Sequence, residues 1–532
     1  MPTTVILGAG IIGLSTAHSL SELAPPDHRV HLVEPAPDLF SSASGKAAGF
    51  LAKDWFAPAL APLGNLSFDL HRALADKHNG PARWAYSDSI SYSLDHTEHD
   101  DHPDARADGV SAPAYPISDD RQQDGASDRA NAVQPVRDLT STDALPSSSS
   151  EDVAVSGRNG SQGQGGLDWL LNNTSRATVV EADTVEKAQS ETDEGGELPK
   201  WLRAKPDALQ VISDKKSTAQ VHPRQLCEFL LEQCLAAGVT LHHPARASNI
   251  WRDEPGGVTR IRVEYLGPQG KTSDGRARTV DVPCDNVVIA AGCWTPQVYA
   301  TLFPNASRMP RVTHLAGYSV TFTSKHWPPV RVPTDPHALR APSDTAPGQS
   351  SRTPAAGPSS PTTVPAFLGS SYSHAIFTDA GGFAPEIFSR ATGDVWLGGL
   401  NPATAPLPAL PTEAVVEQAE VERLLAVAHA LCGADIELRG AALCFRPVSA
   451  TGRPIIARMH EADLGDGVKP RGHDGAGGVY VATGHGPWGI SLSLGTGRVV
   501  SEMVLGRETS ADIGALTKWD GVLDKFDYVY DR

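Results

Sequence analysis

The hexapeptide GAGIIG at residues 8–13 constrains this chain more than any other feature, because of what stands on either side of it. Residues 4–7 are apolar and short enough for a buried strand, and residues 11–23 repeat apolar positions at helical spacing. Gly8 permits a tight turn, Gly10 lets a pyrophosphate approach the backbone, and Gly13 lets the helix pack closely on the strand. Ile11 and Ile12 open that helix, whose first N–H groups and positive dipole end suit an anion. A second strand at 30–33 runs into Glu34, 21 positions after Gly13. An acid there can accept hydrogen bonds from ribose hydroxyls. The combination predicts a strand–helix–strand unit for the adenosine end of a dinucleotide and leaves open which dinucleotide.

The remainder alternates strands and helices, which makes this an α/β chain. Pro223 stands where a helix takes its first residue, Leu226, Phe229, Leu230 and Cys234 recur at helical spacing, and Gly238 stops the run. Strands are expected at 239–242, 260–265 and 286–290, and a second amphipathic helix at 413–431. Three stretches break the pattern. Residues 95–166 are rich in Asp, Ser, Gly, Gln and Pro, 333–365 form a Pro/Ser/Thr/Ala tract, and 465–478 are rich in glycine; all three are expected as disordered insertions. Removing them from 532 residues leaves roughly 400 to fold, a two-domain size.

Charge and cysteine usage exclude several classes. A net charge of −17 argues against a nucleic-acid partner, which needs a cationic footprint. The six cysteines contain no CxxC pair, so neither a metal site nor a disulfide framework is expected, and a reducing, cytoplasmic setting fits. No apolar run approaches the roughly 20 residues of a membrane span, and the first strand begins too near Met1 for a leader. Oligomeric state is not legible.

Five further segments carry a resemblance. SSASGKAAGFLA occupies 41–52, VVIAAGCWTP 287–296, and CFRPVSATGRPIIA at 444–457 precedes VYVATGHGPWGISLSLGTGRVVSEMVLG at 479–506; PEIFSRATGDVWLGGLN at 385–401 reads as a β-hairpin turning at Thr392-Gly393-Asp394. With GAGIIG, these resemble the D-amino-acid oxidase, glycine oxidase and sarcosine oxidase superfamily of FAD-dependent oxidases, in a fungal-type member. The resemblance implies a discontinuous two-domain, glycine-oxidase-like fold. A Rossmann-like FAD-binding domain would be drawn from 1–85, 215–305 and 440–532, and a mainly antiparallel substrate domain with helices from 86–214 and 306–439.

The same resemblance implies the site. Ser42, Ser44, Lys46, Ala47 and Gly49 would run along the phosphates toward the flavin, Ala291 and Gly292 would pass near the ribose, and Ala247 would meet adenine. Gly484, Gly486, Trp488, Gly489 and Ile490 would cup the flavin ring. Arg446 would grip a substrate carboxylate, and His485 would donate toward the flavin. Cys444 matches the position that carries flavin through a thioether in sarcosine-oxidase-like members; noncovalent FAD is the default and the thioether the alternative. Trp55, Tyr372 and Trp488 would wall the pocket. The implied reaction oxidises the CH–NH bond of an amino acid or secondary amine by hydride transfer to flavin, with O2 as acceptor giving H2O2 and an imine or oxo acid. Two alternatives stay open: an FAD-binding assembly or trafficking factor without turnover, and a flavin dehydrogenase that uses a carrier instead of O2.

Overall fold

A computed structural model describes residues 1–95, 167–171, 174–191, 198–327 and 372–519, apart from 254–255, 273–274, 381, 403–404, 466 and 471–476. The insertions expected at 95–166 and 333–365 therefore lie outside the described residues except for Asp95. The glycine-rich patch expected at 465–478 departs in part from that reading. Val468 is buried, and the Lys469 amide donates to the Gly256 carbonyl at 2.9 Å, so residues 467–470 pack against a neighbouring turn.

Thr3–Leu7 forms the central strand of a six-stranded sheet, between Asn286–Ile289 and Arg29–Val33, with both pairings parallel. The sheet continues through Gly478–Thr483 to Ile455–Arg458 on one side and ends at Thr240–His242 on the other. All five residues of the central strand are buried because both sheet faces are covered, which is why Val5–Leu7 read as an unbroken apolar run. Successive side chains still point to opposite faces. Ile6, Leu32 and Val288 enter the core under helices Ile11–Leu23, Pro223–Ala236 and Ser493–Val504. Val5, Leu7, Val287 and Ile289 enter a second core under helix Thr295–Leu302 and a three-stranded antiparallel sheet built from Ala245–Arg252, Val258–Tyr265 and Thr279–Pro283.

The larger sheet is mainly antiparallel. Its strands run in the order Glu437–Ser449, Val312–Thr323, Asp394–Leu400, Glu386–Ser389, Ser373–Phe377, Ser87–Leu94, Thr218–Gln220 and Phe50–Ala52, with Leu209–Ser213 paired to Ser87–Leu94. A third core fills the space between this sheet and helix Gln418–Cys432, whose Val421, Leu424, Val427 and Leu431 face inward. That helix starts later than its periodicity suggests because Pro411–Glu413 closes a separate 3-10 turn. The hairpin at 386–400 turns through Gly393, which has a positive φ of 89°. The architecture is thus a Rossmann-like, mainly parallel sheet with the antiparallel edge strand Ile455–Arg458, joined to a mainly antiparallel one, with chain segments passing back and forth between them.

Candidate functional site

The carboxyl ends of the central parallel strands and one end of the large sheet enclose a cavity of about 960 Å³. This lies near the top of the range of roughly 300–1,000 Å³ usual for small-molecule and cofactor sites. Its walls fall into two chemically different ends.

At one end the wall is mostly backbone. Gly8 (φ 109°) lies so close to the neighbouring strand that a Cβ would stand 2.5 Å from the Ala290 carbonyl oxygen. Gly13 lies behind the cavity wall, where a Cβ would meet the Gly8 carbonyl oxygen at 1.9 Å, so only glycine lets the helix start this close to the strand. Gly10, Ile11 and Ile12 line the cavity at the helix start, and the Ser44 hydroxyl accepts from the Ile11 amide at 3.0 Å. Glu34 also lines it; its two oxygens accept from the Ala9 and Ala36 amides at 2.9 and 3.0 Å, and burial raises its pKa. Ala247, Ala291 and Gly292 complete this end, while Ser42, Ala47 and Gly49 carry the wall toward the large sheet.

Residues 43–49 are held from the far side by groups that sequence reading missed. Arg390, buried behind the hairpin turn, donates to the Ala47 carbonyl at 2.8 Å and the Ala48 carbonyl at 3.0 Å, and pairs with Asp394 at 3.0 Å. Gln220 donates to the Ala48 carbonyl at 2.6 Å, and the Trp396 indole to the Lys46 carbonyl at 3.3 Å. Lys46 does not line the cavity. Its ammonium donates to the Leu443 carbonyl at 3.1 Å, and burial lowers its pKa.

At the other end the wall is side chain. Arg446 extends from strand Glu437–Ser449 across the adjoining strand Val312–Thr323 and donates from Nη1 to Asn401 Oδ1 at 2.6 Å. The crossing is possible because residue 317 is glycine: a Cβ there would stand 2.3 Å from Nη1 and 2.7 Å from Cζ. Among the described residues no carboxylate pairs with Arg446. Cys444 lines the cavity two residues earlier on the same strand.

His485 lines the cavity beyond the strand Gly478–Thr483. Its Nε2 is 3.0 Å from the Thr496 hydroxyl, while Nδ1 is buried without a partner. Burial pushes its pKa down to about 3, so the ring is neutral at pH 7. Gly486, Gly489 and Ile490 line the cavity, whereas Gly484 and Trp488 do not. The Trp488 ring turns away, onto Phe56 at a centroid distance of 4.9 Å and onto the Arg176 guanidinium at 4.7 Å. Trp55 and Tyr372 do not line the cavity either; Phe50, Trp294, Trp396 and Phe445 do.

Sequence reading also missed Arg176 and Glu386, both of which line the cavity. They are 6% and 4% exposed and pair at 2.7 Å. The available signal was the charge in the otherwise apolar segment PEIF, since a buried carboxylate needs a partner. Nothing in the sequence near Arg176 pointed to it.

These residues fit a flavin dinucleotide. The glycine turn, the helix start and Glu34 suit the adenosine pyrophosphate, and cavity-lining His485 has a buried Nδ1 without a protein partner. Among the described residues no helix is long and apolar enough to cross a membrane, and no cluster of His, Cys, Asp or Glu could hold a metal.

Comparison with known proteins agrees with this geometry. Residues 3–138 and 177–503 match the DAO family, described as FAD dependent oxidoreductase. A Schizosaccharomyces pombe protein named as an oxidoreductase is 24% identical over 527 residues, 96% of each chain. Among solved structures, glycine oxidase from Geobacillus kaustophilus superposes with a TM-score of 0.55 at 18% identity, covering 97% of this chain and 98% of its own. L-Proline dehydrogenase from P. horikoshii gives a TM-score of 0.57 at 9% identity, covering 97% and 96%.

Proposed function

Since this chain belongs to the DAO family of FAD-dependent oxidoreductases, we propose that it oxidises the carbon–nitrogen bond of an amino acid or an N-substituted amino acid. The observation that carries this reading is Arg446, a cavity-lining guanidinium held by the neutral amide of Asn401 instead of by an acid. Its positive charge is therefore available to a ligand. A guanidinium can hold a carboxylate through two parallel charge-assisted hydrogen bonds, which fixes the position of the neighbouring Cα.

Bound FAD supplies the two-electron acceptor. The protein's own residues do the rest. The glycine turn and the Ser42–Gly49 segment hold the dinucleotide, with Arg390 bracing that segment from behind. Arg446 anchors the carboxylate, and His485 offers a neutral ring nitrogen toward the flavin end. FAD is held noncovalently, and Cys444 is the position at which a thioether would form if it is not. The parallel sheet carries the cofactor and the antiparallel sheet the substrate, along the division of 1–85, 215–305 and 440–532 from 86–214 and 306–439 except that strands Phe50–Ala52, Thr218–Gln220 and Glu437–Ser449 join the antiparallel sheet. Oxygen is the terminal acceptor: amino acid, O2 and water give oxo acid, ammonia and H2O2. Six buried thiols, all free, suit a cytoplasmic setting.

The test is anaerobic mixing of the purified flavoprotein with a panel of amino acids and N-methyl amino acids. The expected result is bleaching of the flavin absorbance by at least one of them, followed by rapid recovery on admission of air. No bleaching by any of them overturns the reading. Bleaching with slow recovery in air, accelerated by a quinone, replaces the oxidase with a dehydrogenase. Acid precipitation is expected to leave the yellow colour in the supernatant; colour in the pellet would establish the thioether.

A further inference from the structure

The Arg176–Glu386 pair contains more hydrogen-bonding capacity than it uses. Arg176 Nη2 donates to Glu386 Oε2 at 2.7 Å, yet Glu386 Oε1 is buried and has no partner. A carboxylate oxygen left in this state is costly unless a water or a ligand completes it. Glu386 lines the same cavity as Arg446, and the Arg446 charge is near enough to act on Arg176. The sheet explains the proximity. Arg446 crosses Gly317 to reach Asn401, at the end of strand Asp394–Leu400, and Glu386 sits on the next strand, opposite Gly398.

We propose that Glu386 is the positioning residue for the substrate's amino group: Oε2 stays with Arg176 while Oε1 accepts an N–H hydrogen bond from an amine whose carboxylate is held by Arg446. This rests on the reading of Arg446 as the carboxylate anchor, and it narrows the substrate class to α-amino acids and their N-substituted forms. Amines without a carboxylate would lose one contact and carboxylic acids without an amine the other. Arg176 is paired through Nη2 with Glu386, whereas among the described residues Arg446 faces only the neutral Asn401, so Arg446 is the anchor in this reading; Arg176 Nε is buried without a partner. The Arg176 guanidinium lies against the Trp169 and Trp488 rings, each at 4.7 Å.

The experiment titrates the holoenzyme with two acids of the same shape and follows the perturbation of the flavin absorbance. 2-Aminoisobutyrate has no α-hydrogen and cannot be oxidised at Cα; pivalate carries a methyl group in place of its amine. Wild-type protein is expected to bind 2-aminoisobutyrate the more tightly. Glu386→Gln should weaken 2-aminoisobutyrate by roughly tenfold to a hundredfold, the range for a hydrogen bond to a charged group, and leave pivalate unchanged or tighter. Glu386→Asp keeps the charge beside Arg176 and should give a smaller loss of the same selectivity, which serves if the Gln variant does not fold. Equal loss of both ligands would show a purely structural pair and overturn the proposal. So would a Gln variant that keeps its preference for the amine, or a wild-type protein that shows none. Failure of the proposed activity appears separately, as a flavin that no amino acid bleaches, because neither probe has to react.

Discussion

The two ends of the cavity are built by opposite means. At the dinucleotide end, residues 8–13, Glu34, residues 42–49, Ala247 and residues 290–292 place backbone N–H groups and glycine surfaces around a space, and the tolerances at Gly8 and Gly13 are set by peptide atoms that cannot yield. At the substrate end, Arg176, the hairpin residues Glu386 and Asn401, and Arg446 come from three separate segments. Their geometry is set by side chains packed on one another across a sheet. The heart of the first arrangement, residues 8–34, is local and shows as a sequence pattern; the second exists only once segments as far apart as Arg176, the 386–401 hairpin and Arg446 have come together. Substitutions should therefore fail differently at the two ends.

The largest effect is expected at Gly13. Any side chain there drives a Cβ into the Gly8 carbonyl, 1.9 Å away, and neither strand nor helix can shift without opening the sheet core. Gly13→Val should yield protein that neither retains FAD nor melts cooperatively, measured by absorbance of the purified protein and by a thermal scan. A yellow, normally melting variant would show that this end is more pliant than its backbone implies. Next is Arg176→Met, which leaves Glu386 as a buried charge without its partner. Removing one member of a buried pair costs about 3–5 kcal/mol, read as a shift of the urea midpoint at fixed FAD concentration. The flavin should still bind, because Arg176 belongs to the substrate end.

Arg446→Lys sharpens the contrast further. A lysine keeps the charge but loses the planar fork, so kcat/KM for an amino acid should fall by roughly a hundredfold, on the scale of one strong charge-assisted contact. FAD content should not change. Loss of flavin in this variant would break the division of the cavity into two ends.

The legibility of the chain follows the same division. The strand at 4–7, the helix at 11–23 and Glu34 are readable because turn chemistry, periodicity and spacing all act within about 35 residues. Arg446 and His485 could be placed only through the resemblance of whole segments. Arg176 lies ten residues beyond the low-complexity stretch that ends at 166, in a 3-10 turn too short to carry a period, and Glu386 lies inside what reads simply as a hairpin strand. Arg390 and Gln220 were invisible for a related reason: they brace residues 47–48 from positions 342 and 172 residues away. The aromatic wall was misplaced because aromatic residues carry no sign of which face they occupy; Trp55 and Trp488 pack into the core while Trp294 and Trp396 line the cavity.

His485 tests the border between the ends through pH. Its folded pKa of about 3 lies below the unfolded value of roughly 6.5. Its neutral burial therefore adds stability that is fully present above about pH 6.5 and is lost as the pH falls toward 3. Histidine in the unfolded chain takes up its proton first, which costs about 1.4 kcal/mol per pH unit. Glutamine at 485 has no such proton, so the stability difference between wild type and His485→Gln should shrink by about 2 kcal/mol between pH 7 and pH 5, measured by urea unfolding. A difference independent of pH would mean that the ring is reached by solvent or is already protonated.

The smallest effect, and the one that separates the two building principles most directly, is expected at Gly317. Its hypothetical Cβ meets Arg446 Nη1 at 2.3 Å, a distance as severe as that between a Gly8 side chain and the Ala290 carbonyl. The difference is what stands in the way. The Ala290 oxygen is fixed in a sheet, whereas the Arg446 guanidinium ends a flexible side chain and can swing off Asn401. Gly317→Ala should therefore fold and retain FAD, with KM for an amino acid raised roughly tenfold, the cost of about one hydrogen bond to a charged group. In an Arg446→Lys background the same alanine should add little, because the fork it displaces is already gone, and steady-state kinetics on the four proteins of the cycle gives the coupling. If the two losses simply multiply, Gly317 acts on the strand and not on the arginine, and the substrate end would be as dependent on its backbone as the dinucleotide end.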